Sequence, residues 1–290
     1  MKLNTIVVGT DFSPAAEQAL AQAELIASQH EAEMILVHAS GLDQTGVALL
    51  EMASRVDEPW KAYLDGRLTH AREQLAQLVC DVEARGRRVQ SRFVEEHADR
   101  AVVDVAREVD ADLVVVGTRG HTGMQRWLLG SVAERIARLA EAHVLVTRQP
   151  PVRFERVLVG TDFSPASTLA LDAARAVVPA GGRIDLLHGY HEPLAVRDDA
   201  PAWLDAGLRE GAEAAAEKLL RDRSDERVHL EVVFGAPAPA LRHRLEEGAY
   251  DAVFLGSHGK RGLRRMLLGS VTEHTLRGAP CSVFVAHGRA

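Results

Sequence analysis

Cysteine is close to absent from this chain: its 290 residues include two, Cys80 and Cys281, 201 positions apart in segments that read as a helix and the start of a strand. Such isolation argues against a disulfide, a metal pair or a nucleophile with a partner, and predicts two small buried apolar residues. Long hydrophobic runs are missing as well. No stretch approaches the roughly 18 uninterrupted apolar residues of a membrane span. The opening Met1-Lys2-Leu3-Asn4 leads into a strand-like segment without a signal-peptide core or cleavage site, so a cytoplasmic location and no membrane partner are expected. Nor is there a basic excess. The net charge is -7 and the isoelectric point is near 6.0, against the basic stripe that displaces counterions from a duplex, and no nucleic-acid partner is expected. Two phosphate-binding fingerprints are lacking too. Gly259-Lys260 is followed by Arg261 where a P-loop needs Ser or Thr, and no Gly-x-Gly-x2-Gly follows the first strand.

What is present suits packed cores: 47% hydrophobic and 26% charged residues, with a mean hydropathy of -0.08. The length is about twice the roughly 150-residue prior for one domain. Two domains are expected, residues 1–149 and 152–290, joined by the short, stiff Arg148-Gln149-Pro150-Pro151-Val152-Arg153. The halves repeat each other. Ile6-Val7-Val8-Gly9-Thr10-Asp11-Phe12-Ser13-Pro14 returns as Val157-Leu158-Val159-Gly160-Thr161-Asp162-Phe163-Ser164-Pro165, 151 residues later. Gly117, Gly120, Gly130 and Ser131 return as Gly256, Gly259, Gly269 and Ser270, 139 residues later. The first copy is therefore longer in its middle, mostly between Gly41 and Pro59.

Within each copy, apolar runs of four to six residues alternate with segments of helical period, which predicts an α/β, Rossmann-like fold: a doubly wound parallel sheet of five strands with flanking helices. Strands are expected near 5–9, 33–39, 88–94, 112–117 and 143–147, with helices near 14–30, 60–86, 98–110 and 130–141. The second copy has strands near 156–160, 183–189, 227–234, 251–256 and 281–286. In such sheets ligands bind beyond the carboxyl ends of the strands, where the winding direction reverses. Asp11 and Asp162 immediately follow strand 1 of their copies, and the Gly-x2-Gly-x9-Gly-Ser runs begin at the end of strand 4. Glycines allow close backbone approach, and a serine opening a helix presents a hydroxyl and amides at the positive end of the helix dipole, as in phosphate cradles. The aspartates suit ribose hydroxyls or a metal beside phosphates, or an Asx turn before a helix capped by Ser13 or Ser164. The histidines show no His-x3-His spacing, and neither loop carries an acid that could serve as a general base.

These features resemble the universal stress protein family, specifically its tandem members. The resemblance rests on strand 1 ending in Asp-Phe-Ser-Pro, strand 2 ending in His38 or His188, and the twofold Gly-x2-Gly-x9-Gly-Ser, the signature of the ATP-binding branch. It implies strand order 3-2-1-4-5 and ATP as ligand, with a divalent metal such as Mg2+. Carried over by position, Asp11 and Asp162 face the ribose and the main chain at Ala39 and Gly189 meets the adenine edge. Gly117, Gly120, Gly130, Ser131 and Gly256, Gly259, Gly269, Ser270 hold phosphates, and Val132 and Val271 line the sites. Phe234-Gly235-Ala236-Pro237 matches the family's Gly-x-Pro turn, whereas Glu95-Glu96-His97-Ala98 departs from it and sets the first copy's turn and adenine pocket apart.

Pairing through the strand 5 edges, Val144 to Thr147 and Ser282 to Ala286, is expected within the chain or in a homodimer. The implied function is a nucleotide-binding regulator of stress adaptation, with a slow metal-dependent ATPase or a nucleotide-free interaction scaffold as alternatives. The second loop carries Lys260, Arg261, Arg264 and Arg265 against Arg119 and Arg126 in the first. Tighter and more salt-sensitive ATP binding is therefore expected in the second copy.

Overall fold

The computed structural model describes residues 1–41, 58–118, 129–190, 202–221, 225–259 and 268–288. They divide into two compact units, one made of Lys2–Gln125 and Leu129–Pro151, the other centred on Val152–Ala290. In the first, the elements run β1 (Thr5–Gly9), α1 (Pro14–His30), β2 (Glu33–Ala39), α2 (Glu58–Ala84), β3 (Val89–Val94), α3 (Ala98–Glu108), β4 (Leu113–Gly117), α4 (Ser131–Leu139) and β5 (His143–Thr147). The second continues β6 (Arg156–Gly160), α5 (Pro165–Val177), β7 (Arg183–Tyr190), α6 (Ala202–Arg221), β8 (Val228–Phe234), α7 (Pro237–Glu247), β9 (Ala252–Gly256), α8 (Ser270–Gly278) and β10 (Ser282–Ala286).

Strands buried on both faces must read as apolar runs, and these do: Ile6, Val7, Val8, Leu113, Val114 and Val115 in the first unit and Val157, Leu158, Val159, Val253 and Phe254 in the second are fully buried. The order is β3-β2-β1-β4-β5 in one unit and β8-β7-β6-β9-β10 in the other. Strand 1 pairs in parallel with strand 2 on one side and strand 4 on the other, as Val7 does with Ile35 and Val114, and Leu158 with Asp185 and Val253. The winding direction therefore reverses between β1 and β4, and between β6 and β9.

An aspartate fastens this switch point from the opposite end of the sheet. Asp112 Oδ2 accepts from the amides of Asn4 and Thr5 at 2.6 and 3.1 Å, and Asp251 Oδ2 accepts from Glu155 and Arg156, both at 2.8 Å. Among the described residues, the second unit adds a buried polar cluster there, in which Asp185 takes the Tyr250 hydroxyl at 2.8 Å and Arg183 Nε at 2.7 Å. Burial pushes the Asp185 carboxyl up, but the bonds from Tyr250 and Arg183 and the nearby Arg156 charge outweigh it and hold it below the usual carboxylate range. Tyr250, through burial first and the Asp185 bond second, is pushed up to about 12. This cluster lies at the strand starts, away from the crevice, and its role is to hold β7 to β9.

One expectation fails. Cys281 is buried, but Cys80 is exposed. On α2 the buried positions Leu75 and Val82 lie two turns apart on one stripe, and Cys80 projects from another side of the helix.

Candidate functional site

Each crevice begins with a strained turn. Phe12 and Phe163, with φ of 61° and 60°, occupy the left-handed region that bulky residues avoid. Three local bonds hold the conformation. The amide of Phe12 donates to Thr10 Oγ1 at 3.1 Å, that of Ser13 to Asp11 Oδ1 at 3.0 Å, and that of Ala16 to Ser13 Oγ at 3.3 Å, with Pro14 opening α1. In the second unit Phe163 donates to Thr161 Oγ1 at 3.0 Å, Ser164 to Asp162 Oδ1 at 3.0 Å and Ser167 to Ser164 Oγ at 3.2 Å. The Asx turn is thus present, and it orients both carboxylates.

The turned phenylalanines are held in place by the histidines that end strand 2. Phe12 stacks on His38, and the Phe163 and His188 rings meet tilted at 36°, each pair with ring centroids 4.4 Å apart. His38 Nδ1 lies 2.9 Å from the Thr10 carbonyl and His188 Nδ1 lies 2.8 Å from that of Thr161. A carbonyl can only accept, so Nδ1 carries the proton. Burial pushes His38 below its ordinary 6.5, against the opposing pull of the Thr10 bond and the Asp11 charge. Its neutral form is therefore favoured in the fold, and the stabilisation is present above the unfolded value and lost as pH falls below it. Thermal unfolding across mildly acidic pH should show a midpoint that drops with acidification, and H38Q should flatten the slope; an unchanged slope would contradict this. Sequence reading assigned no part to Phe12 or Phe163, although each recurs with its histidine in both copies.

The glycine run divides by role. A Cβ on Gly117 would lie 2.7 Å from the Ala15 carbonyl oxygen, and one on Gly256 2.7 Å from the carbonyl carbon of Ala166. These positions need glycine because the end of strand 4 presses on the first turn of α1 or α5. Gly259 differs: its Cβ would stand 2.8 Å from Asp162 Oδ2, so the loop backbone lies against the carboxylate. Gly269 faces Ser257 O, Gly259 N and His258 Cα at 3.6 to 3.8 Å, and its amide donates to Ser257 O at 2.8 Å. Gly130 N likewise donates to Thr118 O at 2.8 Å.

Gly130 and Gly269 are the N-caps of α4 and α8 and supply no side-chain acceptor to those helices' first amides. Ser131 and Ser270 follow as exposed first residues, with Val132 exposed and Val271 half-buried beside them. In the second unit, then, the structure brings together Asp162, Gly259, Gly269, Ser270 and the start of α8. In the first, Asp11, Gly117, Gly130 and Ser131 hold the equivalent elements. Gly120 and the loop cations Arg119, Arg126, Lys260, Arg261, Arg264 and Arg265 lie outside the described residues.

On the strand 2 side, the main chain at Ala39 and Gly189 meets the loop before α3 or α7. Gly189 is tight, since a Cβ would lie 3.0 Å from Pro237 Cα and 3.1 Å from Gly235 O. Gly235, with φ of 142°, adopts a backbone that Glu96 does not share. Even so, His97 (φ -65°, ψ 139°) and Ala236 (φ -64°, ψ 138°) cap their helices in the same conformation, so the departure at Glu96 does not reach the helix start. Next to the second loop, Ser257 Oγ and His258 Nδ1 are 2.9 Å apart, and His258 Nε2 is buried without a partner among the described residues. No group of three or more His, Cys, Asp or Glu able to hold a metal occurs among those residues.

The family model described as the universal stress protein family matches residues 2–148 and again 153–287. The chain belongs to the universal stress protein family, as a tandem member. A universal stress protein of Mycolicibacterium smegmatis is 30% identical over 299 residues, covering 98% of this chain and 97% of the relative. One from Mycobacterium tuberculosis is 32% identical over 208 residues, 68% of each chain. The crystal structure of a universal stress protein from Archaeoglobus fulgidus covers 100% of both chains with a TM-score of 0.72 at 21% identity, a likeness of fold. No described helix is long and apolar enough to cross a membrane.

Proposed function

We propose that this universal stress protein is a cytoplasmic regulator that binds an adenine nucleotide, ATP foremost, in the crevice of each unit, with occupancy changing its conformation or partners. The observation that carries this reading is the convergence, at the switch point of the second unit, of a preoriented carboxylate, a loop glycine, Gly259, whose Cβ would meet that carboxylate, and a helix start whose amides lack a side-chain cap. Asp11 and Asp162 take the ribose side, Gly130, Ser131, Gly269 and Ser270 the phosphates, and Ala39 and Gly189 the adenine edge. Mg2+ suits this arrangement as a passenger of the triphosphate, because it is commonly held by one or two carboxylates plus substrate phosphates, and a single aspartate stands at each crevice.

Pairing through the β5 and β10 edges, within the chain or between two copies, belongs to the same proposal, and sedimentation of the full chain with charged substitutions on those strands tests it. Mass spectrometry of the denatured, freshly purified protein should detect co-purified adenine nucleotide. Its absence, together with no saturable ATP binding by the nucleotide-free chain, would leave the interaction-scaffold reading.

The slow metal-dependent ATPase is the enzyme-class alternative, and single-turnover assays with metal controls separate it from binding alone: hydrolysis above the metal-free control would support it, and none would remove it.

A further inference from the structure

In the second unit, Tyr190 and Phe234 end β7 and β8 in direct register. Their rings meet edge to face, with centroids 5.6 Å apart at 77°, and Phe234 is 61% exposed. Strand alternation puts Tyr190 on the same face of the sheet as His188. His188 in turn carries Phe163, the residue after Asp162. Two ring pairs, Phe163 with His188 beside the crevice carboxylate and Tyr190 with Phe234 at the outer strand, therefore share one face of the sheet. The backbone beside it belongs to the same crevice: Gly235 N donates to Tyr190 O at 2.7 Å, and Gly235 O packs on Gly189.

The first unit provides an internal contrast. Ser40 and Glu95 stand where Tyr190 and Phe234 stand in the second. There the outermost ring is Phe93, 5.6 Å from His38 and covered by the Arg72 guanidinium at 4.3 Å, which also pairs with Glu95 at 2.8 Å.

We propose that Phe234 is a specificity-determining residue of the second site, its open ring face stacking on the planar base of the nucleotide. The assignment rests on the nucleotide reading given above. Stacking on an aromatic face is tolerant of base identity but strengthens with the size of the π surface, so a purine gains more than a pyrimidine. Glu95, a carboxylate tied to Arg72, gives the first unit no such face. The two sites thus differ in base preference.

The test uses the full chain. F234W places an indole at the stacking position, and its emission, taken as the difference from wild type, should change saturably with ATP and at higher concentrations with CTP. F234A and F234L should weaken ATP binding at one class of sites by about tenfold, narrow the gap between ATP and CTP, and leave the unfolding midpoint unchanged, as the ring is exposed. If wild type binds ATP while F234A and F234L bind it equally well and F234W stays silent, Phe234 has no stacking role, and its exposed face belongs to a different occupant such as a protein partner. If wild type binds neither nucleotide, the crevice assignment itself fails, and the stacking role with it.

Discussion

Replacing Gly269 with valine should weaken ATP binding at the second site by about tenfold or more while leaving that unit folded. Gly269 has an ordinary helix-cap backbone, φ -61° and ψ 145°, and a Cβ there meets only ordinary contacts at 3.6 to 3.8 Å. The fold therefore tolerates the side chain. Under the proposed nucleotide reading the phosphate site would not, because the added methyls would stand where the loop backbone and the first amides of α8 approach the ligand. Each lost amide-to-phosphate bond is charge-assisted, and bonds to charged groups contribute about 1.5–3 kcal/mol, which corresponds to roughly tenfold or more in affinity. Calorimetry on G269V beside a thermal melt checks both halves of this expectation. Unchanged affinity in a folded variant would remove the phosphate role from this position.

Replacing Gly256 with valine should have the opposite profile, a loss of stability first and of binding only as its consequence. The new Cβ would stand 2.7 to 2.9 Å from Ala166 backbone and side-chain atoms, closer than carbon atoms pack. The strand end and the first turn of α5 must separate to admit it. Overpacking of this kind costs on the order of 3 kcal/mol, and here the strained partner is backbone, which cannot rotate away. G117V should act in the same way through Ala15 in the first unit. Denaturant unfolding that finds G256V as stable as wild type would show that the close approach is not what requires glycine there.

These paired substitutions also mark what the sequence conveys and what it hides. The strands were legible within a residue or so, because fully buried parallel strands must be written as short apolar runs between helical periods, and Val7-Val8 or Val253-Phe254 fit no other role. The second loop's association with Asp162 followed from the switch-point rule once strands 1 and 4 were neighbours. The division of labour among the glycines did not follow. A ligand at the backbone and a helix at the backbone both forbid a Cβ, so Gly256 and Gly259 look alike in sequence, although the first yields to Ala166 and the second to Asp162 Oδ2.

The left-handed turn at Phe12 and Phe163 was hidden for a different reason: phenylalanine gives no local cue for that backbone, and its support comes from His38 and His188, distant in the chain. Asp112 and Asp251 also recur between copies, yet they fasten the strand starts, at the end of the sheet away from the crevices. Repetition alone therefore does not separate a site from a scaffold. Cys80 was misplaced because residue type was weighed over helical position, and its offset from the Leu75–Val82 stripe sets it in solvent.

The most direct test of the nucleotide assignment is a calorimetric titration of the nucleotide-free full chain with ATP and Mg2+. Saturable binding of ATP, displaced by ADP and weakened by added salt, is the predicted result. A chain that remains folded yet gives no saturable signal up to millimolar ATP would contradict it.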